Sequence, residues 1–473
     1  RSTWTESSSY SAGPVTIGSA SKGISAGAAL RINAGVLTVG SNISASSGFV
    51  LVNTGTSTVS GVMSSGHGGL SKFGSGTLTL TGYNTYSGTT TISGGTLRIG
   101  NGSTSGWIPS SSITNNANLV FNRSSNLTFS RVISGSGSVQ KLGSGVLTLT
   151  ANNTYSGTTT INAGKLQVGD GGYIGSLSNA TTVTINADGT LEYHRGDRQN
   201  VEGQIFVGHN ITGDGTLRFK SNNATVNGAG DYRYTGTNTL SSDGTYEIDN
   251  ARLVVFQQSN LGSTGTTVKI KDGGQLYLGS GGTFSSPLEI EGMGWKQPDG
   301  TQWGALFGYS YTGSTGAGAG GGAITYSGDI TLTGDTRMSV LSFGNMDITG
   351  TISSSGGDYG IELTGNKTLK LSAANTYTGA TRLVSGVLEA TTIEDGGVDS
   401  SIGASNNGVG NLRFAGGTLR YVGTADASTD RGAVLENNIT ATIDVEDAGA
   451  TLTINGALDS LFGNPSTARL TKN

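Results

Sequence analysis

Residues 70–102 read LSKFGSGTLTLTGYNTYSGTTTISGGTLRIGNG, and 69 positions later residues 139–171 read VQKLGSGVLTLTANNTYSGTTTINAGKLQVGDG. A phrase repeated at a fixed interval constrains a fold more than composition does. Each copy has to be one structural unit, and such units bury their apolar side by stacking on neighbours. The changes between the copies are selective. Leu78, Leu80, Leu97 and Ile99 become Leu147, Leu149, Leu166 and Val168, all aliphatic. Thr77, Thr96 and Arg98 become Val146, Lys165 and Gln167 and drift freely. Restricted and free positions alternate, which is the period of a strand with one buried face. The phrase NTYSG is kept intact at 84–88 and 153–157, and the spacing predicts a structural turn there. Asn and Gly tolerate left-handed backbone, so Asn84, Tyr86 and Gly88, with Asn153, Tyr155 and Gly157, are its expected residues.

Weaker copies extend the pattern. INAGVLTVG at 32–40 matches the tail of the unit, and TLKLSAANTYTGATRLVSGVLE at 368–389 matches its middle and tail. The second of these adds Asn375, Tyr377 and Gly379 to the turn residues. Phrases such as TTVTINADGTLEY at 181–193 and TTVKIKDGGQLYL at 266–278 read as strand, Gly-rich turn, strand. The 81 Gly among 473 residues, with only 5 Pro and 12% charged side chains, suit many short strands joined by tight turns rather than a disordered chain. A helical reading fails because no window keeps an apolar stripe at helical spacing. The expected fold is all-β, a right-handed parallel β-helix or solenoid, continuous over 1–473 and cut from a longer chain. A unit of 69 residues divides into three coils of about 23, within the range of solenoid repeats.

The phrases KFGSGTLTLTGYNTYSGTTTISGGTLRIG and KLGSGVLTLTANNTYSGTTTINAGKLQVG resemble the passenger-associated transport repeat of bacterial autotransporters. The resemblance covers the two full copies and parts of 369–389 and 32–40; the rest of the chain is compatible in style only. It implies a β-helical passenger exported to the outside of a Gram-negative cell through a C-terminal translocator β-barrel, which would lie outside this chain. In that family the repeat serves transport and folding, and the passengers are commonly adhesins, self-association factors or biofilm proteins. A giant filament protein using the same repeat is the variant.

Composition excludes several classes. A net charge of −4 offers no basic field for nucleic acid or anionic lipid. The absence of Cys removes disulfides and thiolate metal sites. No apolar run reaches the roughly 18 residues of a membrane span. No cofactor or metal is expected. For catalysis, the conspicuous charges are Glu192, His194, Arg195, Asp197 and Arg198, which a polysaccharide lyase or glycoside hydrolase could use. The plainer reading is ion pairs on a solvated loop. Glu394, Asp395 and Asp399 lack the ordered alternation of a calcium loop. His67 and His209 fall in Gly-containing turns and are expected to face water. Residues 292–323 break the strand rhythm and hold Trp295, Trp303, Phe307, Tyr309 and Tyr311 beside a Gly tract. They read as a loop insertion whose rings either stack on a glycan or cover an irregular part of the core. Trp107, Ile108 and Pro109 read as a packed corner. The functional expectation is adhesion, self-association or filament formation, with other copies or cell-surface glycans as partners. A carbohydrate-binding or polysaccharide-active β-helix is the alternative.

Overall fold

The computed structural model describes residues 15–17, 24–26, 30–109, 112–196, 205–221, 231–279, 281–296, 300–309, 322–341, 344–436, 439–460 and 469–472. They form two compact units, Arg1–Arg195 with Gly208–Leu217 and Gly196–Val207 with Arg218–Asn473. Each unit is a parallel β-helix. Short strands from successive coils pair in parallel, while the helical content among the described residues is a single turn at Gln258–Leu261 and a 3-10 turn at Val409–Asn411. No helix among the described residues is long and apolar enough to cross a membrane.

Three ladders define the faces of the first unit. One runs through Leu37–Val39, Ser57–Val59, Thr77–Leu80, Thr96–Ile99, Asn118–Phe121 and Ser138–Lys141. A second runs through Leu30–Ala34, Phe49–Asn53, Leu70–Phe73, Thr90–Ile92, Ile113–Asn115 and Ile133–Ser134. The third and narrowest runs through Ile24–Ala26, Ile43–Ala45 and Met63–Ser64. Alternation decides which side chains fill the interior. Leu78, Leu80, Leu97 and Ile99 are at most 1% exposed, as are Leu147, Leu149, Leu166 and Val168. Each such burial removes a side chain from water for about 1.5–3 kcal/mol. The core is thus a column of stacked aliphatic layers.

The second unit is built alike. One of its ladders joins Asp231–Tyr234, Arg252–Val255, Gln275–Leu278 and Leu306–Tyr309. Another joins Thr368–Leu371, Val387–Ala390, Thr418–Tyr421 and Thr440–Val445.

The repeat has a fixed internal register. Leu70 pairs with Thr90, Val139 with Thr159 and Ile361 with Thr381, the same offset in all three copies. Thr77 pairs with Thr96, Val146 with Lys165 and Thr368 with Val387, an offset smaller by one and again shared. Coils within the repeat are therefore shorter than expected, and the interval between the first two copies makes three coils plus one further face. The ladder that holds Thr77–Leu80 in the first copy continues through Asn118–Phe121 to Ser138–Lys141, which opens the second copy. Its counterpart in the first copy, Leu70–Phe73, lies on the second ladder. The first two copies thus present equivalent residues on different faces of the coil.

Candidate functional site

The NTYSG phrase forms a clip across three coils. Asn84, Asn153 and Asn375 are at most 2% exposed. In each, the side-chain oxygen accepts the backbone N–H of the coil before: Met63 at 2.9 Å, Ile133 at 3.0 Å and Ile352 at 2.8 Å. In each, the side-chain nitrogen donates to a carbonyl of the coil after: Trp107 at 2.7 Å, Ser176 at 3.1 Å and Ser401 at 2.9 Å. A carboxamide suits this place because it holds an accepting oxygen and a donating NH2 group in a fixed fork. Two residues on, Tyr86, Tyr155 and Tyr377 are fully buried and their hydroxyls meet Thr90, Thr159 and Thr381 at 2.8, 2.6 and 2.6 Å. Burial pushes the Tyr155 and Tyr377 phenols above their usual range, partly offset by those hydrogen bonds.

The turn does not work through left-handed backbone. None of the three Asn or of Gly88, Gly157 and Gly379 has positive φ. The glycines are needed because the neighbouring coil comes close: a Cβ on Gly157 would sit 2.3 Å from the Gly137 carbonyl oxygen, and one on Gly88 2.4 Å from the Gly69 nitrogen. In each copy the Asn amide bonds the coils before and after, while the buried Tyr ties the turn to the Thr four residues on.

Sequence reading missed two accessory devices. Lys72 and Lys141 point inward, 0% and 3% exposed. Lys72 Nζ donates to the carbonyls of Phe73, Gly74 and Gly94 at 2.8, 3.1 and 3.1 Å. Lys141 Nζ donates to those of Gly143 and Ala163, the latter at 3.1 Å. Burial lowers both ammonium groups to about 8. The signal was available, because both lysines occupy the inward parity of their strands. The third copy has the buried Leu363 there. The second device is an arginine that pins the loop following each copy. Arg123 bonds the Gly106 carbonyl, and Arg195 bonds the Tyr173 carbonyl at 2.8 Å. Arg431, 1% exposed, donates to the carbonyls of Ile402, Val398 and Gly403 at 3.1, 3.0 and 2.7 Å.

Of the candidate catalytic charges, Glu192 and Arg195 make structural contacts, and His194 is half-buried at the end of its strand. Glu192 is 2% exposed and bonded to Lys165 at 2.9 Å. Arg195 holds the loop just named, and Asp197 and Arg198 lie outside the described residues. Asp395 accepts the Asp430 N–H at 2.8 Å, and the Glu394 carbonyl accepts the Thr429 hydroxyl at 2.9 Å, so this loop wraps an arginine. Among the described residues no group of three or more acidic or His side chains is placed to hold a metal. In the second unit, Arg337, Glu362 and Arg382 stand in register on successive coils and pair, and Glu436 closes on Arg382 and on Arg413, which follows Arg382 in register. A parallel set runs Glu389, Arg420, Asp444.

His67 is exposed, as expected. His209 is not: it is 2% exposed, packs against the Tyr193 ring and bonds its hydroxyl. Burial lowers its imidazole to about 4. A Gly before and an Asn after do not reveal that this residue turns inward.

The aromatic segment divides. Leu306–Tyr309 is a strand of the ladder, and Trp295 is 2% exposed beneath the guanidinium of Arg252, 5.1 Å from its ring. Phe307, at 5% exposure, packs against Tyr277 on the outer side of the sheet, the rings tilted by 50° with centroids 4.9 Å apart. Trp303 and Tyr309 are half-buried around that pair. Trp303, Phe307 and Tyr309 thus pack together with Tyr277, and Trp295 is buried apart from them. Tyr311 and the Gly tract as far as Gly321 lie outside the described residues. Trp107 is half-buried and stacks on the exposed Tyr83 at 5.9 Å and 10°.

Parallel coils, asparagine clips and a phrase used three times with one register define a class: β-helices assembled around a folding repeat. A family model of the passenger-associated transport repeat matches residues 70–99, 139–168 and 361–398. The chain is also 30% identical over 349 residues, 70% of its length, to the adhesin BmaC autotransporter of Brucella suis biovar 1 (strain 1330). It is a passenger domain of the autotransporter family. The match spans about 10% of that relative's length. No solved structure matches the chain.

Proposed function

We propose that this chain is a surface-exposed stretch of an adhesive passenger, carried outside a Gram-negative cell through a translocator barrel encoded beyond it. The observation that carries the reading is the similarity, over 70% of the chain, to a protein named as an adhesin. The architecture supports it. Each coil adds another outward row of side chains, so weak polar contacts repeat at the coil spacing of roughly 4.8 Å and sum through multivalency. The clips, the buried lysines and the pinned loops hold those rows rigid, which lowers the entropy lost on contact.

The test is direct. The purified chain, added to host epithelial cells or extracellular matrix, should bind saturably and should compete with adherence of bacteria that display the whole passenger. A chain that neither binds nor competes would remove adhesion as its role. Self-association is the finer reading, and sedimentation velocity of the same material from 1 to 100 μM (about the range of weak surface contacts) addresses it.

A further inference from the structure

The near-identity of two repeats provides an internal control for surface residues. In the first copy Tyr83 and Trp107 are bridged in parallel; in the second the same places are held by Asn152 and Ser176, also bridged in parallel. The backbone duties are unchanged. The Trp107 carbonyl accepts from Asn84 as the Ser176 carbonyl accepts from Asn153. The third copy has the exposed Ala374 at the Tyr83 position. The coil therefore needs no aromatic ring here, yet the first copy exposes one at 68% and stacks an indole on it at 10°.

The surroundings say what such a pair would bind. Along residues 82–87 exposure alternates, so Tyr83, Thr85 and Ser87 face outward while Asn84 and Tyr86 face in. Thr85, about 7 Å from Tyr83 along extended chain, forms the rim of an open cleft of about 350 Å³ whose other polar walls are Ser44, Ser46, Ser64 and Ser65. Ser44 and Ser64 lie in register on successive coils. The lining contains no charged residue and no large aliphatic one. Flat rings meet the C–H face of a pyranose, and hydroxyls exchange hydrogen bonds with sugar hydroxyls. An acidic glycan would meet no cation in the cleft, and a peptide would find no apolar pocket for its side chains.

We infer that Tyr83, Trp107 and the hydroxyl-lined cleft beside them form a binding site for a neutral oligosaccharide. It supplies a ligand class for the adhesive reading and rests on that reading for its purpose, though not for its chemistry. The experiment uses the purified chain with chitohexaose, mannohexaose and lacto-N-neotetraose as neutral probes, and hexagalacturonate and heparin as acidic ones, in isothermal titration. At least one neutral probe should bind, with little dependence on salt. Tyr83→Asn with Trp107→Ser installs the residues of the second copy and should weaken that binding at least tenfold while leaving the melting temperature unchanged. Tyr83→Ala, as in the third copy, is the second variant should the first fold poorly. No binding of the neutral probes, binding of acidic probes alone, or undiminished binding by the folded variants would overturn the site. Neutral-sugar binding by a chain that fails the cell-adherence test would instead remove adhesion and leave the site standing.

Discussion

Asn153 should be among the most sensitive polar residues of the first unit, and the structure gives the size of the effect. Replacing it by Ala leaves the Ile133 N–H without the side-chain oxygen that accepts it at 3.0 Å. The Ser176 carbonyl keeps a second donor, the Asn153 backbone N–H at 3.0 Å, so the loss falls mainly on the coil before. A buried donor left unpaired costs about 1–3 kcal/mol, and the lost bond to Ser176 adds about 0.5–1.5 kcal/mol. Together these come to about 1.5–4.5 kcal/mol. The effect is felt locally, because stacked coils open by neighbours rather than all at once. Hydrogen exchange of the Ile133 amide reads it. With each factor of ten worth about 1.4 kcal/mol, protection should fall at least tenfold. Asn152→Ala is the matched control. That residue is exposed and its oxygen bonds the Gly175 N–H at 3.1 Å, where water can replace it. Its change should stay under about 1 kcal/mol. Equal effects at 152 and 153, or an unchanged Ile133 amide in Asn153→Ala, would refute the clip. Removing Asn84, Asn153 and Asn375 together should lower yield as well as stability.

Further outcomes follow from the same geometry. Gly157→Ala drives a Cβ into the Gly137 carbonyl and should destabilise by about 1–3 kcal/mol in urea unfolding, whereas Gly172→Ala, where the nearest atom is the Asp170 side chain at 3.0 Å, should be mild. His209 titrates lower in the fold, about 4, than when unfolded, about 6.5. The unfolded chain therefore binds more protons between those values, and stability should fall as pH drops through that window; proton-detected titration of His209 and melts from pH 7 to 4 check it, with His209→Gln flattening the curve. Lys72 and Lys141 show the other face of the same linkage. With folded values of about 8 against 10.5 for the free side chain, stability should rise from pH 8 to 10.5, and Lys72→Leu with Lys141→Leu should remove that rise in urea midpoints.

Much of this was legible in the chain. Alternation at 77–80 and 96–99 marked Leu78, Leu80, Leu97 and Ile99 as interior, because a strand has only two sides and one of them must be dry. The repeat marked Asn84, Asn153 and Asn375 as structural, although their job was read as backbone conformation and is side-chain bonding across coils. The glycines of the phrase were found for the wrong local reason as well: they admit a neighbouring backbone. The ladder position of Phe307 and the inward turn of Trp295 were not legible. A ring-rich, Gly-rich segment reads alike whether its rings meet solvent or the outer face of a sheet.

Sequence by itself determined the strands, the repeat and the residues that cannot drift, since these follow from the two-residue period and from positions held fixed between copies. The tertiary structure decided the phase. Ladder steps within the repeat do not divide the interval between the first two copies evenly, so equivalent side chains emerge on different faces in those two. That remainder depends on how many residues each corner consumes, and corner length leaves no periodic trace. For the same reason only the folded chain sets Tyr83 on Trp107 beside a row of serines: the three segments meet because coils stack, at separations the one-dimensional pattern does not record.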